Sequence, residues 1–225
     1  MAQRPFYMPN FKNTGEFILE DKVEFNFFTG FALSQKQKSI ISFHDSIKKY
    51  IGFDTKILEI SSKSLDILGV NLSAFNLKIR LKNGIVSTVE SVFQGSKVFE
   101  NGGPFTALYN DSSRNAKKFE ELRNSGELRH FFLFGEIWSL EPKTAFYDWL
   151  YLNALNQNQD LAAELTKYDV FTDIEFNPNR SISCQAKSAA LYVSLIKLNL
   201  LHEALNSKDD FLSILKKREY KNTLF

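Results

Sequence analysis

Asn83-Gly84 constrains this chain more tightly than any other dipeptide in it. Asn and Gly take the positive φ angles that a tight hairpin turn needs. Before the pair, Asn76–Leu81 (NLKIRL) alternates apolar and polar residues, and after it Ile85 and Val86 begin a return strand. From about Thr88 to Phe99 the spacing becomes helical, and Gly102-Gly103-Pro104 stops the helix. A strand–turn–strand–helix unit at mid-chain points to a mixed fold.

The flanks extend that pattern. Residues 1–22 are mixed, carry two prolines and read as a wrapping arm. Val23–Phe28 (VEFNFF) reads as a strand ended by Thr29-Gly30, and Ala32–Tyr50 as a helix with Ile40, Phe43 and Ile47 on one face. Ile57–Ile60 is a short apolar run of strand type. Beyond the glycine stop the chain is mostly helical, over 112–124, 143–156, 159–167 and 184–206 and near 209–218, with a polar connection containing Asn177-Pro178. No repeat, low-complexity linker or composition break divides the 225 residues. The expectation is one α+β domain, helix-rich, with a small β-hairpin or sheet.

Several function classes are disfavoured. With 28 Lys plus Arg against 26 Asp plus Glu, the chain lacks the basic excess of a dedicated nucleic-acid binder. A local excess at Lys216, Lys217, Arg218 and Lys221 fits either DNA contact or a solvated, fraying tail. The single cysteine, Cys184, forms no internal disulfide and reads as a small buried residue at a helix start. No signal-like stretch opens the chain and no run nears the roughly 18 apolar residues of a membrane span, so a cytoplasmic location is expected. His44, His130 and His202 have no metal-ligand spacing, and no glycine-rich phosphate loop is present. No metal and no cofactor are expected.

The mid-chain helix carries the chemistry. At 100° per residue, Lys97 falls roughly 20° to one side of Glu90 and Gln94 roughly 40° to the other. These polar groups form a stripe bordering an arc of Val89, Val92, Phe93, Ser96 and Phe99 that should face the core. A carboxylate and an amine at such a border are more useful to chemistry than in open water. The competing account is structural: Ser87-Thr88-Val89-Glu90 matches a capping box, leaving Gln94 and Lys97 as a solvated face.

Ser87–Phe99 (STVESVFQGSKVF) resembles the signature of the NADAR family, a Glu, an aromatic-Gln pair and a Lys at this spacing. Leu72-Ser73-Ala74-Phe75 resembles the family's Phe-Ser-Asn-Phe stretch, with Ala74 where Asn is usual. Trp138 stands where the family carries a tryptophan, Thr172-Asp173 resembles its acidic element, and Cys184–Leu195 its last helix. The resemblance covers roughly residues 57–205, with 1–56 as an N-terminal extension packing on that core and 206–225 as a tail. Residues 30–40 (GFALSQKQKSI), 58–64 (LEISSKS) and 176–192 are similar to the branch encoded beside DNA ADP-ribosyltransferase toxins.

That resemblance implies a YbiA-like fold and an antitoxin that removes ADP-ribose from guanine bases in DNA, with the toxin as a further partner. Cleaving the N-glycosidic bond needs a proton for the leaving nitrogen, and either an activated water or an enzymic nucleophile. The implied catalytic residues are Glu90 for acid/base work, Asp173 as second carboxylate or ribose ligand, and Lys97. Lys97 is either a nucleophile forming a Schiff base or a cation holding the pyrophosphate. Ser62 and Lys63 would meet phosphate, and Phe75 and Trp138 would stack on bases, each with core packing as the alternative. Asn76 would compensate for Ala74, and Phe93-Gln94 is the aromatic-Gln pair. Two other functions compete: an N-glycosidase of riboflavin-pathway intermediates, and a non-catalytic module that binds ADP-ribose or the toxin.

Overall fold

The computed structural model describes residues 1–12, 15–179 and 181–219. Strand β1 (Ala2–Pro9) pairs antiparallel with β2 (Ile18–Phe25) along its whole length, Ala2 opposite Phe25 and Pro9 opposite Ile18. Helix α1 (Leu33–Ile51) follows and buries Ile40, Phe43 and Ile47, the three residues that the periodicity sets on one face. β3 (Ile57–Glu59) leads through a serine-rich turn to α2 (Ile67–Leu72). β4 (Lys78–Arg80) and β5 (Val86–Thr88) are the arms of the hairpin, and Gly84 takes φ 87° in its turn. Helix α3 (Val89–Gly95) leaves the second arm and gives way to β6 (Lys97–Phe99).

The rest alternates more than the sequence suggests. A short 3-10 turn (Thr106–Asn110) precedes α4 (Ser113–Lys118) and α5 (Glu121–Asn124). A second hairpin, β7 (Leu128–Leu133) and β8 (Glu136–Trp138), follows, turned at Phe134-Gly135 with φ 50° and 86°. Then come α6 (Ala145–Gln157), α7 (Gln159–Leu165), β9 (Val170–Thr172), α8 (Gln185–Lys197), α9 (Leu201–Asn206) and α10 (Lys208–Glu219). The strands form a four-stranded sheet in the order β2-β1-β9-β3, the β4-β5 pair, and a three-stranded sheet β6-β7-β8. β3 and β9 run parallel, so Glu59 and Thr172 end side by side.

Several expectations need correcting. Residues 1–22 are not a wrapping arm but sheet strands, and β1 lies inside the large sheet, between β2 and β9. The strand read at 23–28 starts earlier and stops at Phe25. The helix expected from Thr88 to Phe99 ends at Gly95, and Lys97 lies on a strand. The span 112–124 is two short helices, and 184–206 breaks where Asn199 takes φ 56°. The C-terminal basic run is not uniformly solvated. The Arg218 guanidinium sits 4.0 Å over the Phe17 ring and donates to the Lys12 and Glu16 carbonyls, while Lys221 lies outside the described residues.

Two hydrophobic clusters join these layers, a large one that includes α6 and α8 and a smaller one between α1 and the first sheet. α6 buries residues on every side, among them Leu150, Tyr151, Leu152 and Leu155, and packs on α8, whose Ala186, Ala189 and Ala190 are fully buried. Each large apolar side chain so buried contributes on the order of 2 kcal/mol. α2 presses on the first sheet so closely that a Cβ on Gly69 would come 1.9 Å from the Glu59 carbonyl oxygen. Among the described residues no helix is long and apolar enough to cross a membrane.

Candidate active site

The β4–β5 hairpin hands directly into α3, and that junction sets the first functional side chain. Thr88 is the N-cap: its Oγ1 accepts from the Ser91 backbone N–H at 3.2 Å. The cap is therefore one residue later than a box starting at Ser87 requires, and the capping partner is Ser91, not Glu90. Val89 N–H donates to the Leu77 carbonyl and Glu90 N–H to the Ala74 carbonyl, at 3.1 and 2.9 Å. The Glu90 carboxylate is left free of capping duty, yet it is only 6% exposed.

Glu90, Gln94 and Lys97 meet in a chain of contacts. Gln94 Nε2 donates to Glu90 Oε1 at 3.0 Å, and Lys97 Nζ donates to Gln94 Oε1 at 2.7 Å. The carboxamide fixes both neighbours, because its two ends offer a donor to the acid and an acceptor to the amine. Lys97 reaches this place from the first residue of β6, after the Ser96 C-cap turns the chain, and its ammonium position lies 4.9 Å from the Phe93 ring centre. Burial lowers the Lys97 amine from its ordinary value to about 8; nearby Glu90 opposes that shift and Lys117 assists it.

Lys97 opens onto a cleft of about 650 Å³. One wall is aromatic: Phe93 lies 5.3 Å from Phe131 and 5.0 Å from Tyr147, and Phe131 stacks on Phe146 at 4.7 Å. The lining also carries polar groups, among them Ser139, Glu141, Lys143, Asn179 and Ser183. A cleft with an apolar wall, a few polar groups and one perturbed amine has the character of a small-molecule site.

The other expected residues distribute unevenly. Phe75 joins the cluster through Lys117, whose Nζ lies 5.0 Å over its ring and 3.9 Å from Glu90 Oε1. Asp173 is buried and accepts from the Glu175 and Phe176 N–H groups at 3.0 and 3.2 Å. Its carboxyl is held well above the ordinary range by burial first and by the neighbouring Glu59 second. The Tyr147 phenol is pushed up by burial first, and the charges of Glu90 and Asp173 act in the same direction. Trp138 does not line the Lys97 cleft. It is 2% exposed against Phe146 and Trp149, and it pairs with Phe131 across the β7–β8 ladder, backing the aromatic wall. Ser62 and Lys63 occupy the turn after β3, outside the residues that line the cleft. Asn76 is exposed and donates to the Val70 carbonyl at 2.8 Å, closing the turn after α2.

The structure also gathers groups that sequence reasoning missed. Gln185 spans the space beside Ala74, accepting from its N–H and donating to the Ile60 carbonyl, both at 2.7 Å. Glu59 is buried, accepting from Thr172 Oγ1 at 2.7 Å and from Ile174 N–H at 2.8 Å, and its carboxyl is pushed up chiefly by burial. A lone acid in the apolar run Ile57–Ile60 is the signal that could have marked it. Lys117 and Tyr147 carry no local signal, because their relation to Glu90 exists only in three dimensions. Among the described residues no three His, Cys, Asp or Glu side chains converge as a metal site.

Two comparisons with known proteins bear on this geometry. The profile of a family described as DarT1-associated NADAR antitoxin matches residues 2–224. A search of the curated proteins returned no match.

Proposed function

Because the chain belongs to the DarT1-associated NADAR antitoxin family, we propose that it is a glycosidase that removes ADP-ribose from guanine bases in DNA. The product would be ADP-ribose and unmodified DNA, and the reaction would undo the work of a DNA ADP-ribosyltransferase toxin. The observation that carries this proposal is the Lys97 amine, brought down to about 8 at the edge of an aromatic-walled cleft and tied through Gln94 to Glu90. A module that only binds ADP-ribose gains nothing from an amine lowered toward neutral pH beside a buried acid.

The chemistry balances with these groups. The neutral Lys97 amine attacks the anomeric carbon as the bond to the guanine nitrogen breaks, and that nitrogen leaves with the electron pair. The proton surrendered by Lys97 passes by way of Glu90 to the departing guanine amine. Opening of the ribose ring moves the remaining N–H proton to the ring oxygen and leaves an imine. Water then adds, releasing ADP-ribose and restoring the amine. Asp173, buried beside Glu59, would orient ribose hydroxyls, and the Phe93–Phe131–Phe146 wall would take a base or the ribose face.

Borohydride reduction during turnover tests the proposal. A covalent ADP-ribose adduct should form on Lys97, read by intact-mass and peptide mass spectrometry, and should vanish in Lys97→Arg. The wild-type rate should rise with pH through about 8, as the amine loses its proton. A Lys97→Arg protein with substantial activity and no adduct assigns Lys97 to pyrophosphate binding. Turnover of riboflavin-pathway intermediates without turnover of modified guanine refutes the DNA assignment.

A further inference from the structure

The contacts around Glu90 do not end at the acid. From Phe93 through Lys97, Gln94 and Glu90 they continue to Lys117 and Phe75: Lys117 pairs with the carboxylate at 3.9 Å, Lys97 reaches it through Gln94, and each amine sits over a phenyl ring. Lys117 is carried by α4, which is pinned in place. Ser113 Oγ contacts Thr88 Oγ1 at 2.6 Å and donates to the Phe75 carbonyl at 2.8 Å, tying this helix to the α3 cap and to the backbone of the residue whose ring lies beneath Lys117.

A single acid beside Lys97 works against a nucleophilic role, since a carboxylate favours the ammonium form. A second cation offsets this, taking up part of the acid's charge and repelling a proton on its neighbour. We propose that Lys117 is a positioning residue of this site, seated on Phe75 so as to counter the pull of Glu90 on Lys97 and leave that amine able to attack. The proposal rests on the reading of Lys97 as the nucleophile.

The surroundings agree. Burial is the main cause of the lowered Lys97 amine, Glu90 opposes it, and Lys117 acts in the same direction as burial. From the other packed elements, α6 presents Tyr147, the segment before it presents Glu141 and Lys143 to the same cleft, and β7 presents only Leu128 and Phe131. Lys117 is itself largely exposed, so salt and water weaken its field in the free protein. A substrate that covers the cleft and expels water strengthens it.

Lys117→Gln and Lys117→Arg, compared with wild type, test the proposal in two independent ways. Trace acetylation of the unliganded protein with acetic anhydride across neutral to alkaline pH, read on the Lys97 peptide, reports the neutral fraction of that amine without turnover. Its midpoint should rise by about half to one pH unit in Lys117→Gln and stay in place in Lys117→Arg. The pH–rate profile on modified DNA should move the same way, with a loss of roughly threefold to tenfold at neutral pH that alkaline pH recovers. An unmoved midpoint in Lys117→Gln, or a moved one in Lys117→Arg, overturns the inference. A moved midpoint in a protein that never acts on modified guanine sustains the coupling of the two lysines and overturns the functional proposal instead.

Discussion

Glu90 stands one residue from where a capping box would use it, and that offset separates its two possible roles. Thr88 and Ser91 hold the helix start without it, so Glu90→Gln should leave the melting temperature nearly unchanged. The same variant should lose at least about a hundredfold in turnover, the usual loss for an acid/base group. A destabilised yet active variant would return the residue to a structural part. The stripe of Glu90, Gln94 and Lys97 was legible in the sequence because the three residues meet whether Lys97 continues a helix or begins a strand. The frame of the cap was not legible, because Ser87 and Thr88 are both capable N-caps and only the hairpin register selects between them. Asn76 and Trp138 show the opposite limit: a residue type that suits a ligand was recruited for a turn in one case and for the core in the other.

The elements around the site are short, and shortness decides which of them a sequence reveals. α1 shows its period over five turns, whereas β3, β6, β8 and β9 span three residues each, too few for alternation to register. The β7–β8 hairpin is hidden further by a turn at Phe134-Gly135, where an aromatic residue takes the positive φ that Asn or Gly usually supplies. The switch from α3 to β6 is equally local and depends on Gly95, where a Cβ would meet the Tyr109 ring at 2.7 Å and the Phe105 carbonyl at 2.9 Å. Gly95→Ala should therefore cost about 1–3 kcal/mol, as overpacking does. It should also lower activity beyond that loss by displacing Lys97, two residues on. Denaturant unfolding alongside turnover separates the two effects, and an unaltered rate in a destabilised variant would free Lys97 from this packing.

At the scale of the molecule, the two hydrophobic clusters meet along β9, whose Phe171 belongs to one and whose Val170 to the other. Asp173 and Glu59 lie at that seam, both pushed up by burial. A folded-state carboxyl above its unfolded value gives stability that is whole at acid pH, below the ordinary carboxylate range, and is lost as pH rises toward the folded value. Asp173→Asn keeps an oxygen for the Glu175 and Phe176 N–H groups and has no proton to lose. It should melt a few °C higher at neutral to alkaline pH, about the effect of 1–2 kcal/mol on a chain this long, and the gain should vanish at acid pH. Scanning calorimetry across that range checks the sign, and a gain that grows toward acid would reverse it. β1 adds a consequence of another kind. It borders β9, made some 160 residues later, where Tyr7 faces Phe171. The nascent chain therefore holds a half-dressed β-hairpin until β9 has been made. Ribosome-bound lengths that stop short of β9 should be readily cleaved by protease across β1 and β2, and full-length chains should resist.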